Sequence, residues 1–233
     1  MLRFKILAQC ICFLFFASLF PQIFASANSN FTLDSKENYI NQLLGFSFHA
    51  PDNWTLQELK KTQPNAPDVA VVAPKTEGFS PVISVSVENS NGTSLEELIK
   101  DKKIRLQPAV DAGRLAFLSD EAKKINGYDA HVSEAKGEFL SQDQGFIVKF
   151  KEVIISANDK FYTVTYANQE KFFDDNLQSF DDVINSFQIL SNKTNESSPN
   201  LSIEIGIGLA IAIGIAVVIA NKRKSSSKKT NSS

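Results

Sequence analysis

Hydrophobic and polar residues alternate with a period of two through much of the middle of this chain, which is the signature of strands. In Gly45-Phe46-Ser47-Phe48-His49-Ala50 the alternation puts Phe46, Phe48 and Ala50 on one face, and Pro51 ends the run. Asp68 to Ala73 is a short β-branched run, and Pro81 to Glu88 alternates with Ile83, Val85 and Val87 inward and Ser84 and Ser86 outward. Asn126-Gly127 predicts a tight hairpin between a strand near 115–125 and one starting at Tyr128. Phe146 to Ile155 is a further strand, and Asn158-Asp159 turns it into Phe161 to Tyr166. The last strands read as an antiparallel meander.

Two segments switch to the helical period. Ser94-x-x-Glu97 is a capping box, with Glu96 and Glu97 in the first turn and Leu95, Leu98 and Ile99 on one side. Proline lacks the N–H that a helix interior needs, so this helix is expected to stop before Pro108. Phe173, Leu177, Phe180, Ile184 and Phe187 recur at spacings of four and three, a stripe that fits a helix lying on a sheet.

Both ends of the chain are apolar. Arg3 and Lys5 precede a run from Ile6 to Phe20, followed by Ala25-Ser26-Ala27, which predicts a secretory signal peptide over 1–27. Ile205 to Ala220 holds no charged residue, and with its approach from Leu201 it is long enough to cross a hydrocarbon core of roughly 30 Å. Lys222, Arg223, Lys224, Lys228 and Lys229 follow, a basic patch that predicts a cytoplasmic C-terminus. The expected organisation is a signal peptide at 1–27, an exterior domain at 28–190, a polar tether at 191–202, a transmembrane helix at 203–220 and a basic tail at 221–233. Gly206, Ala210 and Gly214 fall four apart, as do Gly208, Ala212 and Ala216, a pattern that permits a weak homodimer through the span.

Composition narrows the chemistry. Both cysteines, Cys10 and Cys12, lie in the signal segment, so thiol chemistry and cysteine metal sites are excluded from the exterior domain. That domain must hold itself together by its core, and thirteen of the nineteen phenylalanines belong to it. Residues 28–200 carry 17 lysines and arginines against 25 aspartates and glutamates, a net charge of −8 that disfavours nucleic acid as a partner. Six Asn-x-Ser/Thr sequons, at Asn30, Asn53, Asn91, Asn192, Asn195 and Asn200, fall in the exterior part and are candidate glycan sites.

The order of GFSFHAPDNW, a short strand, the alternating PVISVSVEN strand, the capped SLEELIK helix, a meander and a final helix closing on NSFQI resembles the PsbP family. These are the extrinsic subunits of the photosystem II oxygen-evolving complex, with their wider non-photosynthetic relatives. The residues that carry the resemblance are Gly45-Phe46-Ser47-Phe48, Pro51 with Trp54, and Asn185-Ser186-Phe187. It implies an α+β fold: an antiparallel β-sheet with helices packed on its faces, used for binding or assembly without catalysis. It also implies calcium or another divalent cation as a ligand, with no residue here to which a ligand role carries over. The chain departs from the photosynthetic pattern in its secretory signal and its own anchor, since the plant proteins are soluble in the thylakoid lumen.

Candidate chemistry is sparse. The only histidines are His49 and His131, both expected on solvent-facing strand sides. They are weak metal candidates together with Asp129, without the three- or four-ligand spacing that metal sites use. Asp174-Asp175 and Asp181-Asp182 flank the phenylalanine stripe as a solvated acidic face. No calcium loop, phosphate-binding glycine loop or nucleophile elbow occurs. No cofactor and no catalytic residue are therefore predicted. The leading expectation is a single-pass exterior module in the cell membrane, serving an envelope or surface protein complex. A cell-surface structural or adhesion protein is the alternative, and a small metal-dependent hydrolase the third.

Overall fold

The computed structural model describes residues 31–33, 38–59, 66–141 and 144–190. The expected signal peptide, tether, transmembrane helix and tail lie outside these residues. Among the described residues no helix is long and apolar enough to cross a membrane.

The alternating runs form strands as their pattern dictates. In chain order the elements are β1 (Phe31–Leu33), β2 (Asn38–Asn41), β3 (Phe46–His49), β4 (Thr55–Glu58), β5 (Val69–Val72) and β6 (Val82–Asn89). Helix α1 (Leu95–Asp111) follows, then β7 (Leu115–Ile125), β8 (Tyr128–Ser141), β9 (Gln144–Ala157) and β10 (Lys160–Gln169). Two 3-10 turns, Glu170–Phe172 and Asp174–Asn176, lead into α2 (Leu177–Ser186) and β11 (Gln188–Ile189). All pairings are antiparallel. The strands make a seven-stranded sheet, β4-β5-β6-β10-β9-β8-β7, and a four-stranded sheet, β1-β2-β3-β11. The expected α+β class with helices packed on an antiparallel sheet is observed, with the small sheet as an addition.

One face of the large sheet holds the main core. Ile83, Val85, Val87, Val153, Ile155, Tyr162, Val164 and Tyr166 face Phe180, Val183 and Ile184 of α2 and the Phe46, Phe48 and Tyr39 rings of the small sheet. The stripe Phe173, Phe180, Ile184, Phe187 is buried as expected, although α2 begins only at Leu177 and Phe173 stands between the 3-10 turns. Those turns are tied down from the sheet: the Tyr166 hydroxyl donates to the Phe173 carbonyl at 2.8 Å and Asn168 Nδ2 to the Phe172 carbonyl at 2.6 Å.

Helix α1 covers the opposite face, and this corrects the sequence reading. Ser84 and Ser86, expected to face water, are buried on that face. The helix also runs through Pro108 instead of stopping before it. Proline at this position leaves the carbonyl of Ile104 without its helical donor. Ile104 is 61% exposed, so that side of the helix lies open to water, which can take the bond. The capping box forms as expected: Ser94 Oγ accepts from the Glu97 N–H at 3.2 Å, and Glu97 Oε2 accepts from the Ser94 N–H at 2.9 Å. The Ser94 hydrogen bonds hold the Glu97 carboxyl below its usual range. Ser94→Ala should lower stability by about 1 kcal/mol, read as a shift in denaturant midpoint. No shift would mean that the cap is replaced by water at no cost.

Candidate functional site

The face beneath α1 is built from strand registers that align polar residues. Gln57 lies opposite Ala70, Ala70 opposite Ser84, and Ser84 opposite Thr165. Thr165 lies opposite Glu152, Glu152 opposite Ser133, and Ser133 opposite Asp120. Directly opposed residues share a face, so this row crosses the whole large sheet with Ala70 its sole apolar member. One apolar cluster lies to one side, with Val72, Val82, Phe150 and Ala167, and another to the other, with Ile154 and Phe161.

Helix α1 mirrors this layout at spacings of four. Leu98 and Ile99 pack in the second cluster and Leu106 against the first. The turn between them carries Lys102 and Lys103. Lys102 pairs with Glu152, whose side chain is 2% exposed, and Lys103 pairs with Asp120. His131 Nε2 lies 2.6 Å from Asp120 Oδ1. Burial works against ionisation of Asp120, but hydrogen bonding and charge from Lys103 and His131 outweigh it and hold the carboxyl below its usual range.

Among the buried atoms of this row and its flank that have no hydrogen-bond partner are His131 Nδ1 and Glu152 Oε2, with Gln57 Oε1 at the far end of the row. The His131–Asp120 pair has the form of an imidazole oriented by a carboxylate. Because Nδ1 has no partner, Ser133, two residues on in the same strand, is not joined to it as a nucleophile would be. The seam as built is a clasp holding α1 on the sheet.

His131 was expected on a solvent-facing side and is instead 9% exposed. It does point away from Ala130 and Val132, but the face it enters is covered by α1. His49 is exposed in β3, in the other sheet, and its N–H donates to Ser186 Oγ of α2 at 3.0 Å. Asp129 is exposed and pairs with Lys124 at 2.7 Å. The structure therefore does not bring His49, His131 and Asp129 together, and among the described residues no three His, Cys, Asp or Glu side chains are placed to hold a metal ion. On the acidic face, Asp174 and Asp175 are exposed, Asp181 pairs with Lys151 at 3.0 Å, and Asp182 accepts from Gln178 at 2.8 Å.

The sequence reading missed Glu152, Lys102 and Asp120. A signal was available: the alternate positions that share a face with Glu152 in β9 include Val148, Phe150 and Ile154, all apolar, so the face carrying Glu152 had to be buried as well.

No family model matches the chain, and no curated protein matches it. Solved structures do. The chain is similar to the solution structure of cyanobacterial PsbP (CyanoP) from Synechocystis sp. PCC 6803, at 19% identity and a TM-score of 0.48, over 72% of this chain and 99% of that one. It is similar to the crystal structure of LpqN, involved in cell envelope biogenesis of Mycobacterium tuberculosis, at 15% identity and a TM-score of 0.42, over 68% of this chain and 87% of that one. A third, a crystal structure from Bacteroides thetaiotaomicron VPI-5482, matches at 15% identity and a TM-score of 0.44, over 69% of this chain and 51% of that one. The PsbP-like resemblance read from the sequence is met by a PsbP protein among these structures.

Proposed function

We propose that this protein is a non-catalytic, extracytoplasmic binding or assembly module, anchored in the cell membrane by its C-terminal apolar segment. The observation that carries the reading is the closure of the seam. The scarce side chains suited to acid–base chemistry, His131 and Glu152, are spent on Asp120 and Lys102 beneath α1, and His49 stands apart in the other sheet. With those groups turned inward, the outer surface is left for contact with other molecules. The signal-like start and the basic patch after Ala220 support its placement outside the membrane.

The test is made on intact cells carrying the full chain with a C-terminal tag. Added protease should digest residues 28–200 and spare the tagged tail, and a membrane-impermeant crosslinker should join the domain to an envelope or surface protein complex. A protected domain would overturn the topology. An accessible domain that crosslinks to no other protein would overturn the assembly role.

A further inference from the structure

The large sheet ends in two unlike edges. β4 offers only four residues, whereas β7 is eleven residues long, exposed from Ala116 to Lys124 and, among the described residues, paired on one side only. A strand edge carries a row of unpaired N–H and C=O groups, a template for another strand. Charged residues on an edge ordinarily repel such pairing. Here their order does the reverse.

The segment Asp120-Glu121-Ala122-Lys123-Lys124 is acidic in its first half and basic in its second, with Ala122 at the centre. If a second copy of the strand runs antiparallel about an axis at Ala122, Asp120 meets Lys124 and Glu121 meets Lys123, each in both directions. Residues opposed in antiparallel strands share a face, so the first pairs lie on the α1 side and the second on the α2 side. All these contacts are between opposite charges. A strand designed to repel its own copy would carry one sign at both symmetric positions.

The backbone agrees with that register. β7 and β8 are joined by the two-residue turn Asn126-Gly127, with φ of 50° and 87°, and Ile125 pairs with Tyr128. In such a hairpin the residues flanking the turn exchange hydrogen bonds, and the bonding pairs then alternate along the ladder. Ile125, Lys123 and Glu121 thus turn their amides toward β8, and Lys124, Ala122 and Asp120 turn theirs outward. These are the residues that an axis at Ala122 would join. Of the ion pairs now made by this segment, Glu121 with Lys123 at 3.0 Å and Lys124 with Asp129 at 2.7 Å are on the surface and exchange at little cost, while Asp120 keeps Lys103 and His131 as partners and adds only its remaining charge toward Lys124 of the second copy. The same register brings the exposed Phe117 and Leu118, at the strand's bulge, beside the Asn126-Gly127 turn of the second copy.

We propose that β7 is a homodimer interface, two chains joining edge to edge through antiparallel β7 strands in register about Ala122 to form one continuous sheet. Opposed bonding residues in antiparallel strands stand about 5.5 Å apart at Cα, within reach of a disulfide. The full chain is tested in its membrane, with Cys10 and Cys12 replaced by serine. Ala122→Cys should crosslink to a covalent dimer of the chain under mild oxidation, and Asn89→Cys, exposed away from β7, should not. Adding Glu121→Lys or Lys123→Glu should lower the Ala122→Cys yield about three- to tenfold, since each places like charges opposite one another. Mixing those two differently tagged variants should restore the yield between them, because each supplies the charge that the other lacks.

Equal crosslinking at residues 122 and 89 would mean that the chains meet through the membrane span instead, and would overturn the proposal. A crosslink from residue 122 to a different protein, or yields that ignore the charge reversals, would overturn it as well.

Discussion

Phe180→Ala should lower stability by about 3–5 kcal/mol, a large share of the ~5–15 kcal/mol typical of a whole domain. Phe180 is fully buried in the middle of the contact between α2 and the large sheet. Its ring stacks on Tyr166 with centroids 5.8 Å apart, and Tyr166 in turn holds Phe173 and, through its hydroxyl, the turn before α2. Removing the ring opens a cavity where the helix, the sheet and the 3-10 turns meet. None of them can close over it without giving up its own contacts. The melting temperature should fall by about 6–20 °C, followed by fluorescence of Trp54, the one tryptophan, which packs against the same core. Asp181→Ala on the same helix removes only its half-exposed ion pair with Lys151 and should cost about 0–1 kcal/mol. Equal losses for the two would place the core elsewhere.

Legibility followed the length of the pattern. β6, β9 and β10 alternate over many residues and the Asn-Gly turn fixes the β7–β8 hairpin, so the meander could be read from the chain directly. The small sheet could not. β1, β2 and β11 have two to four residues each, too few for a period to show, and β11 meets β3 across the whole domain, with Ile189 opposite Phe46. That pairing rests on aromatic packing, Phe187 stacked on Phe46 at 5.5 Å, and not on any local signal.

The errors about faces share one cause. Serines at alternate positions in β6 look like a wet face when only that strand is considered, and His131 looks the same in β8. The covering element is written in the helix instead: Leu98, Ile99 and Leu106 bracket Lys102 and Lys103 at the spacing that lays an apolar, a charged and an apolar turn on the sheet. A helix with two apolar contacts on either side of a charged turn needs a partner face of the same order, and the serine-rich row supplies it. Pro108 misled for a different reason: three residues from the end of α1, a slight bend can relieve the clash of its ring with the preceding turn, and the freed carbonyl faces the watery side.

Lys102→Met should destabilise the protein by about 3–5 kcal/mol, because it leaves the Glu152 carboxylate buried and unpaired. Glu152 Oε2 already has no hydrogen-bond partner, so Lys102 is what its burial depends on. The reverse change, Glu152→Leu, should cost less. Lys102 is 13% exposed at the margin of the helix, and its long chain can swing its ammonium out to water. The double variant Lys102→Met with Glu152→Leu removes both charges and joins the two apolar clusters beneath α1 into one. It should recover most of the loss, and a gain over the starting protein is within the range seen when buried ion pairs are replaced by apolar side chains. Measured as a double-mutant cycle, the coupling between the two sites should be large and favourable. The cycle also separates the roles open to the seam. If Lys102 and Glu152 serve only to hold the helix, the double variant keeps its crosslinks to the envelope complex once folding is restored. If it folds as well as the starting protein and those crosslinks vanish, the buried pair takes part in the protein's work and the seam is more than a clasp.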